Sequence, residues 1–254
     1  MLTLTSASSA LTLFPECKTQ RRRFSISAAA DYKFPSFLPK QMEEIKDPFA
    51  RKLATRIERL PVNVSFSEKS IMSSCVKPLI QSNQNPVVLL HSFDSSCLEW
   101  RYTFPLLEEA GLETWAIDIL GWGFSNLERI KSCDVASKRE HFYQIGKLHC
   151  LYPWWEDATV SFMISGGYNV SRQIDQVMQK TLIIWGEDDQ IISNKLAVRL
   201  HFELPNSNIR QIPDCGHLPH VEKPDSAARL ILEFMQNHSC QKKAQLAPTE
   251  EVVY

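Results

Sequence analysis

Several features that would narrow the function at once are missing from this 254-residue sequence. No uninterrupted apolar run approaches about 18 residues, so no segment is predicted to span a membrane. The net charge is −1, which provides no overall field to attract nucleic acid or an anionic membrane. The seven cysteines form no C-x-x-C pair, so no zinc or redox motif of that spacing is present and the thiols are interpreted as reduced structural or surface groups.

The first 30 residues are poor in acidic side chains, since Glu16 is the one acidic residue among them. Ser, Thr and Ala are frequent, and three arginines at 21–23 precede the small residues 25–30. This composition is typical of an organelle transit peptide rather than a secretory signal. We therefore predict a disordered transit peptide over 1–30 that meets the plastid import machinery. The Ser/Thr excess favours the chloroplast over the mitochondrion, and a plain disordered tail is the alternative.

The rest of the chain divides by composition into a lead-in, a folded part and a tail. Residues 31–60 combine prolines with a charged helical pattern and are interpreted as a peripheral lead-in. Residues 61–240 alternate between strand and helix patterns and are predicted to form one α/β domain, for which the length is sufficient. Within it, residues 145–180 break the alternation, and we interpret them as a remnant helical lid or an ordinary packing helix. The polar residues 241–254 are predicted to be disordered.

The strand and helix patterns indicate a parallel sheet. Residues 86–91 are apolar and β-branched without polar alternation, as expected of a buried parallel strand. A helical pattern that ends at Gly111 follows, and then a second buried strand at 114–120, which together form a βαβ unit. The alternation resumes with two strands and two helices, at residues 181–185, 193–203, 207–212 and 226–235.

Polar residues with catalytic potential follow three of these strands, where the ligand crevice of an open α/β sheet lies. The turn at Ser92 and Phe93 can direct a backbone N–H at an oxyanion. Asp189 is placed to accept a hydrogen bond from a histidine, although the acidic cluster around it also fits a helix N-cap. His217 follows a glycine that lets its loop turn the ring inward, and histidine is the usual general base. A metal pair with His220 is disfavoured because no third ligand is evident.

Four stretches together resemble the α/β-hydrolase fold superfamily, in the branch with esterases, epoxide hydrolases and dehalogenases. They are residues 87–91, 118–125, 182–189 and 216–224. The resemblance implies a three-layer fold with a mostly parallel sheet flanked by helices. It makes Asp189 the triad acid, His217 the base, and Ser92 with Phe93 part of the oxyanion hole. It also implies a small-molecule substrate, a carboxylic ester or related acyl compound, and no cofactor or metal.

The nucleophile of that family is missing from the sequence. Hydrolases of this fold attack with the serine of a G-x-S-x-G turn, and no such motif occurs here. The nearest match begins at Gly123 and offers Ser125, but it lacks the last glycine, and charged residues follow where a buried helix should start. Ser92, where the family usually has glycine, is weaker still. The nucleophile is therefore unknown, with Ser125 as a weak candidate.

Spacing indicates that the central strands are missing as well. Too few residues separate Ser125 from Leu182 for the elbow strand, its helix and a further strand, because one βαβ unit takes about 30 or more residues. We place the join near 144–145, as skipped internal exons would produce. Each unpaired buried backbone group costs ~1–3 kcal/mol against a net stability of ~5–15 kcal/mol. We expect a weakly stable, inactive or impaired hydrolase; the alternative is a pseudoenzyme or partner-binding variant.

Overall fold

The computed structural model describes residues 33–63, 70–81, 85–119, 122–126, 148–165 and 170–245. The predicted transit peptide at 1–30 and the predicted join at 144–145 lie outside these ranges. Among the helices that are described, none is both long and apolar enough to cross a bilayer.

Six strands and six α-helices are found in the described ranges. The strands are β1 (Ile57–Val62), β2 (Ile71–Val76), β3 (Val87–Leu90), β4 (Thr114–Ile117), β5 (Thr181–Gly186) and β6 (Ser207–Ile212). The helices are α1 (Pro48–Ala54), α2 (Thr103–Glu109), α3 (Trp155–Ile164), α4 (Asn194–Glu203), α5 (Pro219–Glu222) and α6 (Pro224–Gln245). Short 3-10 helices occur at Lys40–Glu44, Cys97–Trp100, His149–Leu151 and Ile174–Gln176.

The strands form two separate sheets. The first has the order β1-β2-β4-β3, with antiparallel β1/β2 and β2/β4 pairs and a parallel β3/β4 pair. In the described part of the chain the second sheet consists of β5 and β6, which are parallel. Within the described residues β3 pairs only with β4, so β3 and β5 are not neighbours in one sheet.

The prediction that residues 86–91 form a buried strand is wrong for one face of β3. Leu89 is 6% exposed and packs in the core, whereas Val88 and Leu90 are 51% and 53% exposed. Successive side chains of a strand point to opposite faces, so one face of β3 is covered and the other meets solvent. An uncovered apolar face of this kind is what a missing flanking helix would leave, and the edge of β3 away from β4 has no strand partner among the described residues.

The residues predicted to form a peripheral lead-in belong to the main core instead. Met42, Ala50 and Leu53 are all buried there. The Asp47 carboxylate caps α1 by accepting from two backbone amides, and Pro48 occupies the first helical position. β1 then begins at Ile57, so the folded domain starts before residue 61. The charged side chains that suggested a peripheral segment lie on one side of these short helices, and the apolar side is buried.

Helix α6 connects the two sheets. Ala228 contributes to the main core with Phe104 and Leu107 of α2, whereas Ala227 packs with Ile212 behind β6. The helix was predicted over 226–235, and it continues to Gln245. The predicted disorder of 241–254 is therefore wrong for 241–245. These five residues are Gln, Lys and Ala, which have high helix propensity.

Candidate active site

The loops that follow β5 and β6 bring the predicted acid and base together. His217 Nδ1 lies 2.9 Å from Asp189 Oδ2. The other carboxylate oxygen of Asp189 accepts from the amides of Ile191 and Ile192, at 2.8 and 2.9 Å. The Asp189 side chain is 3% exposed and the His217 side chain 34%. The carboxylate is thus held from three directions, while the imidazole keeps an open side.

These contacts also favour the ionised form of the Asp189 carboxylate. Burial by itself raises the pKa of Asp189, but the hydrogen bonds from His217 and from the two backbone amides outweigh it and leave the pKa below its ordinary value. An ionised acceptor at Nδ1 keeps a proton on that nitrogen, so Nε2 of the neutral ring carries the lone pair. Among the described residues Nε2 has no hydrogen-bond partner. A base that faces the crevice in this tautomer is what acyl transfer requires.

The close approach of the two loops depends on Gly186, the last residue of β5. A Cβ at this position would lie 1.9 Å from the carbonyl oxygen of Gly216. The amide of Asp188 donates to the carbonyl of Cys215 at 2.9 Å, which fastens the loops on either side of the contact. Only glycine allows the two backbones to meet here.

Glu222 of α5 shapes the histidine loop and was not singled out from the sequence. Its carboxylate accepts from the amides of Gly216 and Leu218, at 2.7 and 2.9 Å. These amides flank His217, so Glu222 fixes the backbone that orients the ring. The sequence signal was its place within the 216–224 stretch, but nothing local showed which way the carboxylate points.

The turn after β3 offers only part of the predicted oxyanion hole. Ser92 donates to the Glu99 carboxylate through its amide at 3.1 Å and its hydroxyl at 2.6 Å. The amide of Phe93 has no acceptor among the described residues. His91 Nε2 accepts from Ile119, so its Nδ1 carries a proton and donates to the Ser92 carbonyl at 2.7 Å. The turn is therefore rigid, and Phe93 is the donor that remains for a ligand.

Glu99 ties this turn to the histidine loop. Its carboxylate lies 2.9 Å from His220 Nε2, and the His220 ring also packs against Trp100 with centroids 4.4 Å apart. Burial raises the pKa of Glu99, but the close contact with His220 and the hydrogen bonds from Ser92 dominate and lower the pKa to about 2. His217 and His220 thus face different carboxylates, which gives no support to a metal pair formed by them.

Ser125 lies buried against β2. Its hydroxyl accepts from the Ser74 amide at 3.2 Å and lies 3.5 and 3.4 Å from the Ser73 and Ser74 hydroxyls. All its described hydrogen bonds go to these residues and none to His217. The nucleophile therefore remains unassigned.

Helix α3 covers the turn after β3. The Phe162 ring lies 4.7 Å from that of Phe93 and 5.9 Å from that of Trp122. Met163 and Ile164, at the end of the helix, are 66% and 81% exposed. A helix that lies over the crevice and keeps apolar side chains in solvent is typical of a lid, which favours that interpretation over an ordinary packing helix.

A parallel sheet whose strand ends present an aspartate–histidine pair defines an α/β enzyme scaffold, and comparison with known proteins specifies which one. A family model described as alpha/beta hydrolase fold matches residues 136–224. The alpha/beta hydrolase domain-containing protein VTE7 of Arabidopsis thaliana is 40% identical over 87% of this chain and 96% of its own length. This chain belongs to the α/β-hydrolase fold family, as the sequence motifs predicted.

A solved structure and a second relative agree with this assignment. A thermophilic esterase from Thermogutta terrifontis superimposes with a TM-score of 0.56 at 13% identity, over 71% of this chain and 98% of that chain. A 2-hydroxy-6-oxononadienedioate/2-hydroxy-6-oxononatrienedioate hydrolase from Comamonas testosteroni is 33% identical over 28% of this chain and 24% of its own. The first likeness supports the fold, and the second is confined to a short segment.

The alignment with the Arabidopsis protein has an unusual length. It extends over 316 positions, although this chain has only 254 residues. At 87% coverage about 221 residues of this chain are aligned, so about 95 aligned positions hold residues of the relative opposite a gap. The relative therefore contains internal segments that this chain does not.

Proposed function

We propose that this chain is by descent a plastid hydrolase of carboxylic esters or related acyl substrates, and that this form turns over little or no substrate because the nucleophile segment is absent. The observation that carries the proposal is the Asp189–His217 pair, at 2.9 Å with Nε2 unoccupied among the described residues. The base is in place, whereas no G-x-S-x-G occurs anywhere in the sequence.

The consequence of a missing serine follows from what the base does. His217 would take the proton of the attacking hydroxyl and later return it to the leaving group. Without that hydroxyl it can only assist water. Removing a triad member leaves ~10³–10⁴-fold catalysis over water when the oxyanion hole and substrate binding persist. Here the oxyanion hole is reduced too, because the residue after the nucleophile normally supplies one of its amides.

Two independent observations support the loss of central strands. Among the described residues β3 has no strand neighbour other than β4, and the face of β3 that carries Val88 and Leu90 is uncovered. The relative carries about 95 positions opposite gaps, which is enough for two or more βαβ units of ~30 residues each. Both observations support the loss of an internal segment.

Restoring the missing segment tests the activity. A chimera would receive the residues of the Arabidopsis protein that align opposite the gaps, and turnover of p-nitrophenyl butyrate would be compared with that of the present chain. We expect at least a 100-fold gain that His217→Ala abolishes and Asp188→Asn leaves unchanged. A folded chimera without turnover would refute the ester substrate class. Activity of the present chain that His217→Ala abolishes would refute the impaired state.

The absent nucleophile also favours a second candidate, a non-catalytic partner-binding variant. It predicts that the present chain is folded and captures a specific protein from plastid stroma or membranes, and that His217→Ala captures it equally well. Location is tested separately by fusing residues 1–60 to a fluorescent protein. Chloroplast import is expected, and mitochondrial import would contradict the plastid proposal.

A further inference from the structure

Three potential metal ligands meet beside the turn that follows β3. Asp94 comes directly after Phe93, and His149 and Cys150 lie on the short 3-10 helix before α3. His149 Nε2 is 2.9 Å from Asp94 Oδ1. The Cys150 sulfur lies 3.6 Å from the same nitrogen and 3.9 Å from the same oxygen. The site is formed by residues far apart in sequence, which is why no spacing motif revealed it.

The separations match a tetrahedral ion better than a catalytic relay. Zinc binds nitrogen and oxygen at ~2.0–2.2 Å and sulfur at ~2.3 Å, so neighbouring ligand atoms around it lie ~3.3–3.6 Å apart. The two sulfur distances are already close to this value, and the nitrogen–oxygen pair has to widen by a few tenths of an ångström. In a Cys-His-Asp relay the acid and the thiol face different ring nitrogens. Here both face Nε2, so the three groups converge on one point.

The surroundings fit a partly buried ion. The His149 side chain is 1% exposed, whereas that of Asp94 is 37% exposed and leaves an entry path. Trp155 donates its ring N–H to Asp94 Oδ1 at 2.8 Å, which orients the carboxylate. A carboxylate, an imidazole and a thiolate are the ligands that zinc prefers.

We propose that Asp94, His149 and Cys150 bind one divalent transition-metal ion, best matched by zinc, with a fourth position open to water. The ion would fasten the 3-10 helix before α3 to the turn that holds Phe93. It would thereby fix how the lid helix lies over the crevice. The proposal is independent of ester hydrolysis, since none of the three residues belongs to the Asp189–His217 pair.

Cobalt(II) serves as the probe because cobalt thiolates absorb in the near ultraviolet. The full chain, stripped with a chelator, would be titrated with cobalt(II) and then with zinc. We expect one equivalent to produce a thiolate charge-transfer band and tetrahedral visible bands, and zinc to displace it. Cys150→Ser should abolish the near-ultraviolet band. Cys215→Ser is the matched control, because its hydroxyl can still donate to the Gly216 carbonyl that the thiol faces, and it should retain the band.

A second variant keeps the test decisive if Cys150→Ser does not fold. Asp94→Asn changes a partly exposed turn residue and should weaken zinc binding at least tenfold while the far-ultraviolet circular dichroism stays unchanged. No cobalt band in the wild-type chain would overturn the proposal. So would a band of equal intensity in Cys150→Ser, or equal zinc affinity in Asp94→Asn.

Discussion

Two aspartates at strand ends show how similar positions acquire different roles. Asp118 follows β4 and Asp189 follows β5, and both side chains are nearly inaccessible to solvent. Asp118 accepts from the amides of Cys97 and Phe124, at 2.6 and 2.8 Å, and from the Ser74 hydroxyl. All three donors are groups that do not titrate near neutral pH. This carboxylate therefore fastens three segments of the first half of the molecule together.

Asp189 differs from Asp118 in its contact with histidine, because His91 Nε2 lies 3.9 Å from Asp118 and accepts from the Ile119 amide instead. Asp189 also accepts from two backbone amides, but its third donor is the His217 imidazole, whose side chain is 34% exposed. A carboxylate at the end of a parallel strand is thus not by itself a catalytic acid. The titratable partner with an open side distinguishes the candidate site from the structural carboxylate.

The largest effect is expected from removing the structural carboxylate. Asp118→Ala would leave three buried donors without an acceptor, at ~1–3 kcal/mol each, so we expect the free energy of unfolding to fall by about 4 kcal/mol. Asp118→Asn keeps one acceptor oxygen and should lose less. Urea unfolding followed by tryptophan fluorescence measures both. A loss below about 1 kcal/mol for Asp118→Ala would mean that this network does not hold the first half together.

The next comparison is between Gly186, the last residue of β5, and Gly216, in the histidine loop. A Cβ on Gly186 meets a backbone oxygen at 1.9 Å, whereas one on Gly216 meets the flexible Glu222 carboxylate at 2.9 Å. Backbone cannot yield as a side chain can, so Gly186→Ala should cost about 3 kcal/mol and Gly216→Ala about 1 kcal/mol. Thermal unfolding by calorimetry measures both. Equal losses would contradict the assignment of the backbone contact.

The contact between Glu99 and His220 is expected to contribute less stability in acid. Its folded pKa of about 2 lies below the ordinary 4.5, so its stabilisation is present above pH 4.5 and is lost as the pH falls toward 2. Glu99→Gln should therefore be less stable by about 2 kcal/mol at pH 7, and the difference should shrink below pH 4.5. Glu109→Gln, at an exposed position of α2, is the control. A difference that stays constant with pH would contradict the charge-dependent role.

The elements that could be predicted from the sequence are those that short local patterns indicate. β5, α4 and β6 lie within one residue of their predicted bounds because apolar runs and amphipathic periodicity are properties of contiguous residues. The pairing of Asp189 with His217 followed from topology, since the ends of neighbouring parallel strands meet at one edge. In both cases the information needed was contained in short segments and their order.

Contacts between distant segments were not predictable in the same way. Glu99 meets His220, and Asp94 meets His149, across many intervening residues. Which carboxylate reaches which imidazole depends on how α2, α3 and α5 pack, and several acidic residues were available to each histidine. The burial of the lead-in was missed for a related reason. Its short helices carry charge on one side, and only packing shows where the other side lies.

The smallest expected effect is a loss of stability in Asp189→Asn that the neighbouring variant Asp188→Asn does not show. The hydrogen bonds to Asp189 keep its pKa below the ordinary value of 3.8, so its stabilisation is present above about pH 4 and disappears as the pH falls through the folded pKa. Asp189→Asn should be less stable than wild type at pH 7, because the amide group turns a donor toward either His217 or the Ile191 and Ile192 amides. The gap should close in acid.

Asp188→Asn is the matched control for that measurement. Its carboxylate is exposed and makes no hydrogen bond to the described residues, so the neutral variant should follow the wild-type curve at every pH. Urea midpoints between pH 3 and pH 7 test both variants. If Asp189→Asn also followed the wild-type curve, the carboxylate would not be bonded to His217 in solution. The hydrogen bond to histidine, which distinguishes Asp189 from Asp118, would then be refuted.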